Sequence, residues 1–401
     1  MSTLNALIAD VLPEIVGIRH DLHAHPQLGY EETYASGVVQ RQLKAWGISH
    51  VTGVAETGVV AWIDPPHAET ADPAIGLRAD LDALPITEAT GLPYASTVPG
   101  RMHACGHDGH TSILLATAKA LLQMRDRLPR PVKLLFQPAE EIGAGAQKMI
   151  DHGALSEKVG GRKVTAMFGL HGTPHLPVGV VATKPGPLLA GCADFEIVVH
   201  GVGGHAAMPQ FSTDPVVAAS SLVLAIQTIV SRNIDPVVPA VVSVSTIHGG
   251  DAANVIPDAV TITGTIRAHD DAVFQQVRQR LSDLAERMAQ SMGCRAETRF
   301  VPAYPPVIND AKAADFAMEM AQQAVGEQRF LRLDMAYMPS EDFAFYGKAV
   351  PSCFSFIGVC PPDRDSYPPL HSPQFDFTDA AIGVGARLMC EYALNANRLA
   401  A

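Results

Sequence analysis

Val132-Lys133-Leu134-Leu135-Phe136-Gln137-Pro138-Ala139-Glu140-Glu141 is a short apolar run that empties at once into a proline and two adjacent carboxylates. Its leading residues, 132–136, are too few for a helix and read as a buried strand. The arrangement stands twice more in the chain: 75–77 runs into Arg78-Ala79-Asp80-Leu81-Asp82, and 164–170 ends beside His171. With a helix predicted over 111–124, such strands alternating with helices predict an open α/β sheet. Ligands of such sheets gather beyond the carboxyl ends of the strands. Asp80, Glu140, Glu141 and His171 are therefore expected to be neighbours in space, although any one of them alone reads as an ordinary turn residue.

Working outward, apolar positions at Leu4, Leu7, Ile8, Val11, Leu12, Ile15, Ile18 and Leu22 predict an amphipathic helix over 4–25, followed by a second over 33–46 that stops at Gly47 and a strand over 59–63. From about Leu188 the texture changes to strand 194–200, helix 215–230, strands 240–247 and 260–267, helix 272–292 and strand 295–301. That order is the split βαβ of ferredoxin-like units, which can be inserted into a host domain. After Pro305 the first texture resumes with helix 311–325, the turn Ser340-Glu341-Asp342, strand 352–358, His371 and helix 379–395. The predicted organisation is a catalytic α/β sheet domain in two parts, 1–187 and 305–401, with an inserted ferredoxin-like α+β lid at 188–304.

Composition bounds the function. The chain has 401 residues, 47% of them hydrophobic and 17% charged, the mix of a folded globular protein. A formal net charge of -12 argues against nucleic acid or an anionic membrane as partner, since both select basic surfaces, and favours a small-molecule substrate. The six cysteines, at 105, 192, 294, 353, 360 and 390, have no paired spacing and read as reduced thiols of a cytoplasmic protein. The first ten residues lack a basic region followed by an apolar core, so no export signal is expected. No apolar run approaches the roughly 18 residues of a membrane span.

Met102-His103-Ala104-Cys105-Gly106-His107-Asp108-Gly109-His110 gathers more metal-capable side chains than any other stretch. Cys105 and His107, two apart, face the same way only on extended or looping backbone, which Gly106 and Gly109 suit. Alone, the stretch reads equally well as a small buried thiol with polar groups at a helix N-terminus. Together with Glu141, His171 and His371 it becomes a candidate ligand set of thiolate, imidazoles and carboxylate. A structural zinc site is closed by four ligands, usually cysteine-rich and close in sequence; this set is dispersed and one too many. Two ions about 3.5–4 Å apart fit better, and such a pair lowers the pKa of bound water from ~15.7 towards ~7 and polarises a carbonyl. Glu140, beside Glu141, is then free to take a proton from that water and pass it to a leaving amine, a role that contributes roughly 10²- to 10⁴-fold in rate. The rival chemistry makes Cys105 a thiol nucleophile with a histidine base, insensitive to chelators.

The segments 77–85, 103–110 and Phe136-Gln137-Pro138-Ala139-Glu140-Glu141, with Gly203-Gly204-His205-Ala206-Ala207-Met208-Pro209, Asn254-Val255-Ile256-Pro257 and Ser340-Glu341-Asp342-Phe343, resemble the hippurate hydrolase and N-acyl-amino-acid amidohydrolase family. That family includes the plant auxin-conjugate hydrolases and is a branch of the aminoacylase and carboxypeptidase G group of dinuclear metallopeptidases. The resemblance runs in order along nearly the whole chain. It implies metal ligands at Cys105, His107, Glu141, His171 and His371 and a catalytic Glu140, leaving open which ligand bridges the ions. It implies two divalent ions per subunit, zinc first, with manganese, cobalt and nickel as alternatives. Relatives in the group carry a His-x-Asp segment where this chain reads Arg78-Ala79-Asp80; Arg78 cannot be a ligand, so Asp80 alone keeps an orienting role, with Asp82 as its rival. The resemblance further implies that His205 donates to the oxyanion in the active site of a partner subunit, that Asn254 assists, and that the inserted unit forms a homodimer, with a homotetramer as a further step. Arg267 is the candidate to bind the substrate carboxylate, or else a strand-end ion pair. Where relatives continue His-Asn-Trp, this chain has His171-Gly172-Thr173-Pro174-His175, and the smaller side chains are expected to enlarge the acyl pocket; His175 is expected to be solvated, and His103 and His110 structural. The implied activity is metal-dependent cleavage of N-acetyl or N-benzoyl type N-acyl-L-amino acids. The alternatives are a short-peptide hydrolase with the same machinery and a binding protein without catalysis.

Overall fold

Apolar runs form most of the strands that carry the first part of the chain. A computed structural model describes residues 3–69, 71–143 and 145–399. In chain order the first part runs α1 (Thr3–Ala24), α2 (Thr33–Ala45), β1 (Ser49–Val54), β2 (Gly58–Ile63), β3 (Ala74–Asp80), α3 (His107–Gln123), β4 (Val132–Gln137), α4 (Gly145–Asp151), β5 (Val164–Pro177) and β6 (Val181–Thr183). The middle comprises β7 (Gly186–Leu189), β8 (Gly191–His200), β9 (Gly204–His205), α5 (Pro215–Ile226), α6 (Thr228–Asn233), β10 (Ala240–His248), β11 (Val255–Ile256), β12 (Ala259–Ala268), α7 (Asp271–Ser291) and β13 (Arg295–Tyr304). The last part has β14 (Val307–Asn309), α8 (Ala311–Val325), β15 (Phe330–Arg332), α9 (Ala344–Ala349), β16 (Ser352–Cys360) and α10 (Ala380–Leu394). Two compact units result, one from Met1–Gly186, Ile308–Met335 and Asp342–Ala401, the other from Pro187–Val307 and Ala336–Glu341.

The larger unit is built on an eight-stranded sheet in the order β1-β2-β4-β3-β5-β16-β6-β15. Its four middle strands, β4, β3, β5 and β16, are parallel, and every residue of β3 and β4 is buried. Parallel strands covered on both faces need continuous apolar runs, which is why they were legible. Helix α3 is buried along most of its length and packs against α1 and α10. It begins at His107, not at Thr111, because Gly106 caps it in the left-handed region at φ 90°. Gly109 lies so close beneath Phe377 that a Cβ would stand 2.3 Å from the ring. The expected looping backbone at Cys105–His107 is thus one left-handed residue at a helix start. Strand β1, unforeseen, is an edge strand with mostly exposed side chains.

The smaller unit is a four-stranded antiparallel sheet, β10-β12-β8-β13, with α5 and α7 packed against it. Strand, helix, strand, strand, helix, strand in this sheet order is the split βαβ architecture. The helices start where sequence chemistry dictates: Asp214 accepts from the Val216 and Val217 amides, and Asp270 from that of Val273. The helix expected over 215–230 breaks at Gln227 into α5 and α6. No helix among the described residues is long and apolar enough to cross a membrane.

Candidate metal centre

Three parallel strands deliver the centre. Strand β3 ends at Asp80, β4 leads into Glu140 and Glu141, and β5 carries His171, while the turn into α3 supplies Cys105 and His107. The Cys105 Sγ lies 3.3 Å from Nε2 of His171. Glu141 Oε1 lies 3.9 Å from His107 Nε2 and 3.5 Å from His371 Nε2. His371 reaches it from a loop in which its own backbone is left-handed, φ 63°, and its N–H donates to the Ala104 carbonyl at 2.8 Å. The donor atoms fall into overlapping groups: Cys105, His107 and His171 form one, and Cys105, Glu141 and His371 another, with the atoms of each within 4.8 Å of one another. Cys105 is common to both.

Hydrogen bonds aim these donors. Asp82 Oδ1 faces His107 Nδ1 at 3.2 Å, and its Oδ2 accepts the Glu141 N–H at 2.9 Å, so one carboxylate orients two candidate ligands. The orienting contact expected of Asp80 is therefore made by Asp82. Asp80 instead takes the Nδ1–H of His110 at 2.7 Å and an Arg78 N–H at 2.7 Å, and stands 3.7 Å from His107 Nε2. His110 accepts the Gly172 N–H at Nε2, which fixes its tautomer and leaves it a structural histidine. His171 donates Nδ1–H to its neighbour's carbonyl at 2.7 Å, leaving Nε2 with a lone pair toward Cys105.

The charge balance fits a cation. His107 Nε2 and Glu141 Oε1 are buried with no hydrogen-bond partner, the state that ligation relieves. Burial, then the charges of Glu141, Glu140 and Asp80, pushes the Cys105 thiol well above its usual value, so it is a poor nucleophile unaided. Burial likewise drives the Glu141 carboxyl up, with His107 opposing and Asp82 adding. Burial alone would lower His107, but Asp80, Asp82 and Glu141 outweigh it and hold the imidazole at about 10. Burial first, and the neighbouring His110 with it, keeps His171 well below the histidine range. Protons crowd this cluster where a divalent ion would replace them.

The loop bearing Glu140 is pinned by buried carboxylates. Ala139 is left-handed at φ 54°, a conformation that persists only when its surroundings over-determine it. Its N–H donates to Glu32 Oε1 at 2.8 Å, and Glu32 is itself buried and takes the Thr57 hydroxyl at 2.7 Å. Asp82 holds the Glu141 N–H, and Asp342 accepts the Ala146 N–H at 2.9 Å. The Asp342 N–H in turn reaches Glu140 Oε1 at 3.4 Å. Glu32 carried no sequence signal, and the side chain of Asp342 none beyond its place in Ser340-Glu341-Asp342-Phe343.

The remaining expected residues lie in the smaller unit. His205 on β9 pairs opposite Val255 on β11, and the Ala206 N–H donates to the Asn254 carbonyl at 3.1 Å, so His205 and Asn254 are brought together, both exposed. His205 Nδ1 accepts the Ala207 N–H at 3.1 Å, which places the ring proton on Nε2. Arg267 is engaged on its own strand pair, with Cys192, with Thr265 at 2.5 Å and, more distantly, with Asp194 at 3.9 Å. Gly172 does not enlarge a pocket: a Cβ there would stand 2.7 Å from Phe377 and 2.9 Å from Val359, both fully buried. The side chain absent at this position would point into the core, on the face of β5 opposite His171. His175 is exposed, as expected.

The profile described as peptidase family M20/M25/M40 matches residues 76–395. Over 383 residues, 94% of this chain and 84% of the relative, the chain is 41% identical to the IAA-amino acid hydrolase ILR1-like 4 of Arabidopsis thaliana. It is also 41% identical over 370 residues, 92% of this chain and 85% of the other, to the N-acetyl-L-cysteine deacetylase of Bacillus subtilis. A crystal structure from Bacillus subtilis, described as that of a dinuclear metal binding peptidase, superposes with a TM-score of 0.80 at 34% identity, covering 96% of this chain and 98% of that one.

Proposed function

The chain belongs to peptidase family M20/M25/M40, and from that premise we propose that it is a metal-dependent amidohydrolase cleaving N-acyl-L-amino acids, with acetyl or aromatic acyl groups, to a carboxylate and a free amino acid. The observation that carries the reading is the pair of donor groups meeting at Cys105 with Glu140 next to Glu141. Cys105, His107, Glu141, His171 and His371 would hold two divalent ions, Cys105 belonging to both of those donor groups. A thiolate with three imidazoles favours zinc over the harder manganese. When bound, such ions would supply the Lewis acidity that activates water and polarises the scissile carbonyl.

The chain's own groups do the rest. Glu140 accepts the proton of the attacking water at a carboxylate oxygen and returns it to the leaving amide nitrogen. Asp82 keeps His107 in the tautomer that presents Nε2. His205 donates Nε2–H to the developing oxyanion, a contact worth roughly 2.7–4 kcal/mol when pre-aimed, and serves the site of a partner subunit with Asn254 beside it. Two features support a homodimer through the smaller unit: β10 is an open sheet edge, and α5 exposes Val216, Val217 and Leu224. Six free cysteines are in keeping with a reducing, cytoplasmic location. Arg267 retains the role of substrate-carboxylate anchor only if substrate displaces its contacts with Thr265 and Asp194.

The deciding experiment pairs two substitutions with metal analysis. Glu140→Gln keeps its metal while kcat falls by about 10²- to 10⁴-fold on N-acetyl amino acids; Cys105→Ala loses metal. Metal lost from the first variant and kept by the second would overturn the assignment.

A further inference from the structure

A buried network around Arg78 has no part in the mechanism. Arg78, fully buried on β3, donates from its guanidinium to Asp80 Oδ2 at 2.7 Å, Gln137 Oε1 at 2.9 Å and Asp342 Oδ1 at 3.0 Å. Because Gln137 accepts from Arg78 through Oε1, its amide nitrogen is turned toward Asp342, donating at 2.8 and 2.9 Å to the two carboxylate oxygens. The Ala146 N–H adds a further donor at 2.9 Å. Asp342, with no exposed surface, is thus held by a guanidinium, an amide and a backbone N–H. Its own N–H points back at Glu140 Oε1.

This arrangement joins both ends of the Glu140 loop to one residue. Asp342 touches the carboxylate of Glu140 through its main chain and the exit of the loop, at Ala146, through its side chain. The loop is strained at Ala139, so it holds its shape only while such anchors act. A rigid base matters because a misplacement of about 1 Å costs on the order of 10²-fold in rate.

We propose that Asp342, clamped by Arg78 and Gln137, is a positioning residue that sets the orientation of the Glu140 carboxylate. The inference rests on the reading of Glu140 as the general base. Asp342 touches neither substrate nor metal in it; it acts through Glu140. Arg78 links the clamp to Asp80 at the metal centre and thereby explains why a cation that cannot ligate occupies that strand end.

The test uses the metal-loaded enzyme and Asp342→Asn, which keeps shape but sets an amide nitrogen or a neutral oxygen against Arg78, Gln137 and the Ala146 N–H. The expected result is a fall in kcat of about 10- to 100-fold with KM and metal stoichiometry unchanged, and faster amide exchange at Ala146. In a Glu140→Asp background, where the contact with the Asp342 N–H is already lost, the same substitution adds less than about 2-fold, because two residues acting as one unit are not additive. An equal loss in both backgrounds would mean a general structural role and overturn the proposal, as would wild-type kcat. Gln137→Met, near-isosteric and uncharged, removes the amide clamp alone; it is expected to give the same kcat-only pattern at smaller size, and it decides the matter by itself if Asp342→Asn does not fold. Full kcat in Glu140→Asp would instead sink the base assignment, independently of Asp342.

Discussion

Asp80 and Asp82 differ by two positions on one strand end, and the chemistry of the centre turns on which of them meets His107. Residue type alone could not separate them, since both stand at the end of β3, Asp80 as its last residue and Asp82 just beyond, and both are buried carboxylates. The geometry places Asp82 on His107 Nδ1 and the Glu141 N–H, and Asp80 between Arg78 and His110. We expect Asp82→Asn to weaken metal binding about 10- to 100-fold in chelator competition, the usual effect of losing a group that orients ligands. An unchanged affinity there, with a loss in Asp80→Asn, would reverse the assignment. The metal-capable residues stood out in the sequence because thiols and imidazoles are rare and the carboxylates beside them follow apolar runs. Glu32 did not, because its work is to accept two ordinary hydrogen bonds, from Ala139 and Thr57, whose proximity to it sequence spacing does not encode.

At the level of elements, apolar pattern revealed what is buried and missed what is exposed or short. Strands β3, β4, β5 and β16 and helices α1, α8 and α10 were legible from their runs. Strand β1 lacks an apolar face, and α4 and α9 are too short to show a period. The first turn of α3 was read as looping backbone because Cys105 and His107 stand two apart, with Gly106 and Gly109 beside them; the burial of its polar His107, Asp108 and His110 is met by partners on other elements. One is His23 of α1, 2.9 Å from Asp108 and 3.3 Å from Glu88. Burial alone would lower the His23 pKa, but Asp108 and Glu88 outweigh it and raise it to about 9. A base whose folded pKa lies above its unfolded value, about 6.5, stabilises the fold fully below that unfolded value. The contribution fades as pH rises through 9, on the order of 3 kcal/mol in all. Thermal midpoints should therefore fall between pH 6.5 and 10, and His23→Gln should flatten that slope. An unchanged slope in the variant would remove His23 as its source.

For the whole molecule, a unit of split βαβ architecture between two stretches of α/β chain was readable from the change in strand and helix order near Leu188 and Pro305. A small segment, Ala336–Glu341, rejoins the smaller unit after the chain has returned to the larger one, and no periodicity marks it. If His205 serves a partner's centre, each hybrid dimer of His205→Ala and Glu140→Gln chains holds one intact site. Random exchange in an equal mixture then restores about one quarter of wild-type activity, since half of the dimers are hybrid and half of their sites work. No recovery despite measured subunit exchange would place His205 in the service of its own chain. By itself the sequence determined the architecture and the identity of the metal-capable residues, because burial demands apolar runs and metal chemistry demands rare side chains. Only the tertiary structure decided that the Met102–His110 stretch is a left-handed turn into a helix, that Asp82 and not Asp80 orients His107, that Gly172 faces the core, and that Asp342 reaches back to Glu140. Those are matters of direction and distance between segments far apart in the chain, and residue order does not carry them.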